Sequence, residues 1–223
     1  DFSEIVQAFH EFSLGKTFKN SNAFAINRTQ LNGRLDYDFY SPENQIVMQN
    51  FISNNVKFLK DLCEIDKTKS KKLKDTSLSV QYVELSDINT HDYEIINSTL
   101  LNTSELPSRA SFEIFEGDII TSVAGNSLGT RKHATALVSA DYNNAICTNG
   151  FRVLRNFKID PLFLLYYFKT DSFLRQVFML RTGAAIPNIS DIDFANIKVK
   201  IPDDNTLTEI VTKMRQFLEY RLK

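Results

Sequence analysis

The side chains best equipped for chemistry in this sequence are cations and amides set in loop-like stretches. Five lysines crowd residues 66–75 (DKTKSKKLKD): Lys67, Lys69, Lys71, Lys72 and Lys74. A second basic patch, Arg131-Lys132-His133, follows the tight loop AGNSLG at 124–129. Arg109, Arg152, Arg155, Arg175 and Arg181 add further cations, and Asn126, Ser127, Asn143, Asn144 and Asn188 add amides and a hydroxyl close to them in sequence. Lys and Arg contact phosphates and set affinity, whereas Asn, Gln and Arg read base edges. The residues that best fit this chemistry are Lys67, Lys69, Lys71, Lys72, Lys74, Asn126, Ser127, Arg131, Lys132, Arg181 and Asn188. The competing reading is plainer. A lysine run whose only large apolar residue is Leu73 is most often a solvated loop.

Catalytic patterns are missing. The seven glycines form neither G-x-G-x-x-G nor a P-loop, so no nucleotide phosphate cradle is visible. His10, His91 and His133 are scattered, and Cys63 and Cys147 stand far apart, which gives neither a zinc pattern nor a disulfide framework. Buried free thiols are the expectation. No G-x-S-x-G elbow supports a nucleophilic serine. No lysine has an acidic residue two positions before it, as a common metal-dependent nuclease site requires, and the five isolated prolines exclude the Asn/Asp-Pro-Pro-aromatic motif of amino-methyltransferases. No metal and no cofactor are expected.

The elements that must position these residues alternate along the chain. Phe2, Ile5, Val6, Phe9 and Phe12 form one apolar stripe on a helix closed by Gly15. Phe24 and Ile26 predict a short strand. Ser41-Pro42 opens a helix whose Ile46, Val47, Phe51 and Ile52 are expected to face inward, with Asn54-Asn55 ending it. Residues 56–65 return to the core. β patterns follow over 79–101, 119–123, 134–138, 145–148 and 151–154, and Asn149-Gly150 is a strong hairpin turn signal. Asp160-Pro161 caps an aromatic helix over 162–168, and a second helix covers 172–180. Next comes the densest run of signals, TGAAIPNISDIDFANIKVKIP at 182–202. There Gly183 can take positive φ, Ser190 is an N-cap with Asp191 and Asp193 in the first turn, and Ile197, Val199 and Ile201 alternate as a strand stopped by Pro202. The last helix carries Leu207, Ile210, Val211, Met214, Phe217, Leu218 and Leu222 at a spacing near 3.5, a coiled-coil-like seam suited to a partner helix.

A chain of 223 residues, 43% hydrophobic and 24% charged, has the composition of an ordinary globular protein. The net charge of −1 exerts no strong pull on a polyanion, although a local basic face works within a neutral total. No apolar run approaches a membrane span and no secretory pattern opens the chain, so a cytoplasmic location is expected. Asp1 in place of an initiator Met suggests a piece of a longer protein.

Four segments carry a family likeness in register: RLDYDFYSP at 34–42, EGDIITSVAGNSLG at 116–129, DPLFLLYYF at 160–168, and GAAIPNIS at 183–190 with its strand ending in Ile201-Pro202. The chain resembles the target-recognition domain of the specificity subunit of type I restriction–modification systems. The resemblance implies an α+β fold, with a mixed β-sheet or partly open barrel, flanking helices and a C-terminal coiled-coil-like helix. Residues 1–20 would be an N-terminal helix or junction, 21–202 the recognition domain, and 203–223 the start of a spacer or dimerisation helix. It implies a non-catalytic protein that reads one half of a bipartite target in double-stranded DNA and directs a DNA adenine methyltransferase there, with or without a restriction nuclease. The partners implied are a methyltransferase subunit or fused domain, and a second recognition domain or a homodimer. The helix at 2–12 looks like the junction found where a methyltransferase precedes a specificity region in one chain. An enzyme in its own right, and a protein-interaction module without direct base readout, are the competing hypotheses.

Overall fold

A computed structural model of the chain describes residues 2–16, 23–31, 33–52 and 55–221. The chain forms two compact units, Asp1–Asn50 and Phe51–Lys223. This division differs from the boundaries drawn from the sequence, because the last helix belongs to the second unit.

In the first unit, α1 (Ser3–Ser13) ends as expected, with Gly15 at φ +70° donating to Phe12 O. Its stripe of Phe2, Ile5, Val6, Phe9 and Phe12 is exposed, and Ala8 is its buried residue. The strand expected at Phe24–Ile26 is absent. An Asn27-capped 3-10 turn at Arg28–Gln30 follows instead, because the Asn27 side chain bonds Thr29 N–H and Gln30 bonds back to Asn27 N–H. Next come α2 (Tyr37–Tyr40) and α3 (Pro42–Gln49). Pro42 opens α3, but Ser41 makes no side-chain cap, and the helix stops at Gln49 rather than at 54–55. Ile46 and Ile52 do not face inward; they are 61% and 82% exposed. Asn54 lies outside the described residues.

The second unit begins with β1 (Val56–Phe58), α4 (Leu59–Leu62) and β2 (Glu64–Asp66). The strands β3 (Ser79–Val83), β4 (Ile88–Asn89), β5 (Glu94–Ile95), β6 (Thr99–Asn102), β7 (Ala110–Ile114), β8 (Ile119–Ser122), β9 (Thr135–Leu137), β10 (Ala145–Thr148) and β11 (Phe151–Arg155) follow. It closes with α5 (Pro161–Tyr167), α6 (Asp171–Leu180), α7 (Asp191–Ala195), β12 (Lys198–Lys200) and α8 (Asp204–Arg221). The sheets are open: β6-β3-β10-β7, β2-β11-β8-β9, and the pairs β1-β12 and β4-β5. Most pairings are antiparallel, with β3 and β10 parallel. The fold is α+β.

Strand alternation explains the layers. Ile120 and Val153 are paired across β8 and β11 and face the other four-stranded sheet, meeting Ala145, Cys147 and Phe112. Their neighbours Ile119 and Leu154 point the opposite way, onto the helices. Ile146, between Ala145 and Cys147, turns instead to the outer face with Val80 and Tyr82. Every residue of β8 and β10 is buried, so these strands read as continuous apolar or small runs.

Asn149-Gly150 does not make a hairpin. β10 is already flanked by β3 and β7, and β11 by β2 and β8, so the turn carries the chain from one sheet to the other. A tight turn joins strands but does not oblige them to pair.

The helical layer is capped as read. Asp160 accepts from Leu162 N–H at 2.9 Å with Pro161 at the first helical position, and Ser190 accepts from Asp193 N–H at 3.1 Å. Phe168, Phe173 and Phe194 are fully buried in this layer, each of them a large apolar contribution. Both thiols are buried and free, and burial pushes Cys63 up to about 12, so neither is reactive.

Candidate nucleic-acid interface

Strand directions bring the candidate residues together. In the order β2-β11-β8-β9 each neighbour is antiparallel, so β2 and β8 run the same way. The segment leaving β2 at Lys67, the loop from β8 to β9 at 123–134, and the 149–150 turn before β11 therefore emerge at one end of that sheet. The 182–190 loop is docked there too: Gly125 N–H donates to Pro187 O at 2.9 Å, and Ile189 N–H to Val123 O at 2.9 Å.

The 123–134 loop is held from within. His133 is fully buried, accepts from Gly129 N–H at 3.2 Å, and lies 2.9 Å from Thr121 Oγ1. Burial, with the Lys169 ammonium nearby, lowers its pKa to about 3. It is neutral and structural, not part of a basic patch. Lys169 Nζ donates to His133 O at 2.6 Å, and burial lowers that ammonium to about 8. Gly129 packs so tightly on α6 that a Cβ would lie 2.6 Å from Phe178 N.

Most of the cations here are bound by carboxylates. Asp191 holds two: Arg152 Nε at 2.7 Å and Lys67 Nζ at 3.3 Å. Burial alone would raise the Asp191 carboxyl, but these two partners outweigh it and hold it below the usual range. Arg131 pairs with Asp171 at 2.8 Å, and Arg109 with Glu84. Arg155 bridges Asp66 at 2.9 Å and Asp118 at 2.7 Å. Lys72 pairs with Glu113 at 2.6 Å and bonds Asn144 O, which places it along the β7 edge, away from the 149–150 end. Arg181 lies over the Phe178 ring at 3.7 Å and donates to Leu128 O.

The other candidates are freer. Lys69, Lys71, Lys74 and Lys132 are exposed and make no ion pair among the described residues. Asn126 and Ser127 are exposed at the loop tip, and Asn188 is exposed while its backbone pairs with Thr182. Lys71 and Lys74 sit on a 3-10 turn, Lys71–Lys74, capped by Ser70. The sequence named Arg152 among the cations but carried no signal that Asp191 anchors it. The N-cap pattern at Ser190 marked the position of Asp191 but not its partners.

The helix seam is largely occupied by its own domain. Met214 is buried at 8% exposure, and Leu207, Ile210, Val211 and Leu218 pack on the same core as α5. Phe217 meets Tyr93 edge-on at 6.2 Å, and Tyr220 is 83% exposed. Leu222 lies outside the described residues.

Residues 52–222 match the family model described as the type I restriction modification DNA specificity domain. The chain belongs to this family. Type I specificity domains recognise DNA targets and supply specificity rather than catalysis. A solved chain from a structural study of complex assembly and conformational transition in a type I R-M system superimposes with TM-score 0.62 at 25% identity, over 74% of this chain and 42% of that one. The HsdS subunit from Thermoanaerobacter tengcongensis gives TM-score 0.60 at 25% identity, over 75% of this chain and 43% of that one. The specificity domain thus spans less than half the length of these relatives. No curated protein matches the sequence significantly. The family match excludes the Arg34–Pro42 segment, which lies in the first unit. Among the described residues, no helix is long and apolar enough to cross a membrane and no side-chain cluster suits a metal ion.

Proposed function

We propose that this specificity domain reads one half of a bipartite DNA target and directs a DNA adenine methyltransferase to it, in the cytoplasm. The observation that carries the reading is the gathering of the 67–69, 123–134, 149–150 and 182–191 segments at one sheet end, within a domain of a DNA-specificity family. Lys132, Asn126, Ser127 and Asn188 are exposed there and supply phosphate and base-edge contacts, with Lys69, exposed and bridged to Phe112 of β7, adding a further phosphate contact. Arg152, fixed by Asp191 and by Asn149 O at 3.0 Å, enters as an oriented guanidinium. Lys71 and Lys74 contribute more distant phosphate contacts along the β7 side. The outer face of α8, with Tyr220 and the edge of Phe217, meets the methyltransferase or a second recognition domain.

The test is a fluorescence-anisotropy titration of the domain, assembled with its methyltransferase, against duplexes carrying and lacking the target. Affinity should favour the target and fall linearly in log–log form as salt rises. Absence of binding to every duplex at low salt would refute the proposal.

A further inference from the structure

A cavity of about 220 Å³ opens between the 85–90 segment and the 122–134 loop. We propose that it seats a single DNA phosphodiester, so that Ser86 and Thr90 contact the DNA backbone together with Ser127 and Lys132. The idea rests on the DNA-reading function proposed above and assigns it a phosphate site that the basic loops alone do not reveal.

The composition of the wall decides the chemistry. Lys132 and the hydroxyl-bearing Ser86, Thr90, Ser122 and Ser127 are among the lining residues, with Gly125 and apolar residues; the Ser122 hydroxyl lies 3.4 Å from the His133 ring. No carboxylate, amide or aromatic side chain is among its lining residues. Asp87, between two wall residues, is buried and turned away, its Oδ2 accepting from Glu84 N–H at 2.8 Å. A hydroxyl donates to an anion and an ammonium neutralises it, which suits a phosphate oxygen pair. A base would need a forked amide or guanidinium for its edge, or a ring for its face, and the wall has neither. The volume equals that of about seven waters, room for a phosphate with bridging solvent.

Electrostatics agrees with this place, Lys132 being one of four candidate lysines, with Lys69, Lys71 and Lys74, that make no ion pair among the described residues. The cations at 67, 109, 131, 152 and 155 each have a carboxylate partner. Lys132 has none among the described residues, so an incoming phosphate displaces no internal ion pair there. The wall is also closely packed. Leu85 Cδ1 fills the space that a side chain at Gly150 or Gly125 would need, 3.2 and 3.4 Å from the respective Cβ positions. The 123–134 loop is held by Leu128 and His133, both fully buried.

Lys132→Ala and Thr90→Val, in the domain assembled with its methyltransferase, test the site against target and non-target duplexes. Lys132→Ala should weaken both by the same factor, about 10-fold, as expected for a charged hydrogen bond, and should lower the salt slope by about 1. Thr90→Val should weaken both equally by a smaller factor. A duplex series with one methylphosphonate at each position should show one site where the wild type loses affinity and Lys132→Ala loses nothing more. If the wild type binds but Lys132→Ala matches it in affinity and slope, the phosphate seat is wrong and the function stands. A change in the target to non-target ratio would also overturn it, in favour of base readout. A wild type that binds no duplex would bring down the function and the seat together.

Discussion

Replacing Gly129 by alanine isolates how firmly the 123–134 loop is pinned to α6. Gly129 sits at φ +74°, where an L side chain costs about 1–2 kcal/mol. A Cβ there would lie 2.6 Å from Phe178 N, 2.9 Å from Phe178 Cα and 3.0 Å from Leu174 O, all of them backbone atoms of a helix. Ordinary contact begins near 3.4 Å, so loop and helix must separate by most of an ångström. Overpacking of this kind costs about 1–3 kcal/mol. The total loss is about 2–5 kcal/mol. Gly117 provides the control: its φ is +85°, but a Cβ there meets nothing within 4 Å. Gly117→Ala should therefore lose only the conformational part, about 1–2 kcal/mol. Urea midpoints followed by far-UV circular dichroism, with unchanged m values, give both numbers. Gly129→Ala should also weaken target binding, because Asn126, Ser127 and Lys132 move with the loop. Equal losses for the two variants would refute the claim that α6 holds the loop.

Other expected outcomes concern the buried imidazole and the last helix. His133 stays neutral in the fold down to about 3 but takes a proton near 6.5 when unfolded, so its contribution is complete above 6.5 and is lost as pH falls from there toward 3. Stability should drop as pH falls through 6.5, the slope approaching about 1.4 kcal/mol per pH unit near pH 5. Urea unfolding of the wild type against His133→Gln should show that slope disappear, and an unchanged slope would assign it elsewhere. Met214→Glu should cost about 3 kcal/mol or more of folding stability, because a carboxylate would enter the core. Tyr220→Glu should leave the melting curve within about 0.5 kcal/mol while weakening helix-partner association by analytical ultracentrifugation. A Met214→Glu protein that melts like the wild type would show that α8 does not pack on its own domain.

What the sequence made legible was local. The Asp160 and Ser190 caps, the helices at 161–167 and 171–180, and the strand segments at β8 and β11 each follow from neighbours a few residues apart. The misreadings arise where distant residues decide. Asn149-Gly150 has a good hairpin signature, but whether its strands pair depends on β3, β7, β2 and β8. The lysine run looked uniform, yet Lys67 and Lys72 are paired with Asp191 and Glu113, while Lys69, Lys71 and Lys74 are not. A seam spacing of 3.5 marks an apolar stripe but not its partner, and here most of the stripe covers α5. Ser86 and Thr90 carry no pattern, because small polar residues in loops gain meaning from what the fold sets opposite them.

The clamp between the two ends of the second unit has a mechanical consequence. β1 pairs with β12, Val56 opposite Lys200, and Ile201 N–H donates to Asn55 O at 2.8 Å. Three residues later α8 departs as a rod of 18 residues, about 27 Å long. Tilting such a rod by about 7° swings its tip about 3.4 Å, the rise of one DNA base pair per strand. Its bracing by α5 at one end and by Tyr93 against Phe217 near the other therefore limits how far the tip of α8 can swing relative to the sheets of its own unit.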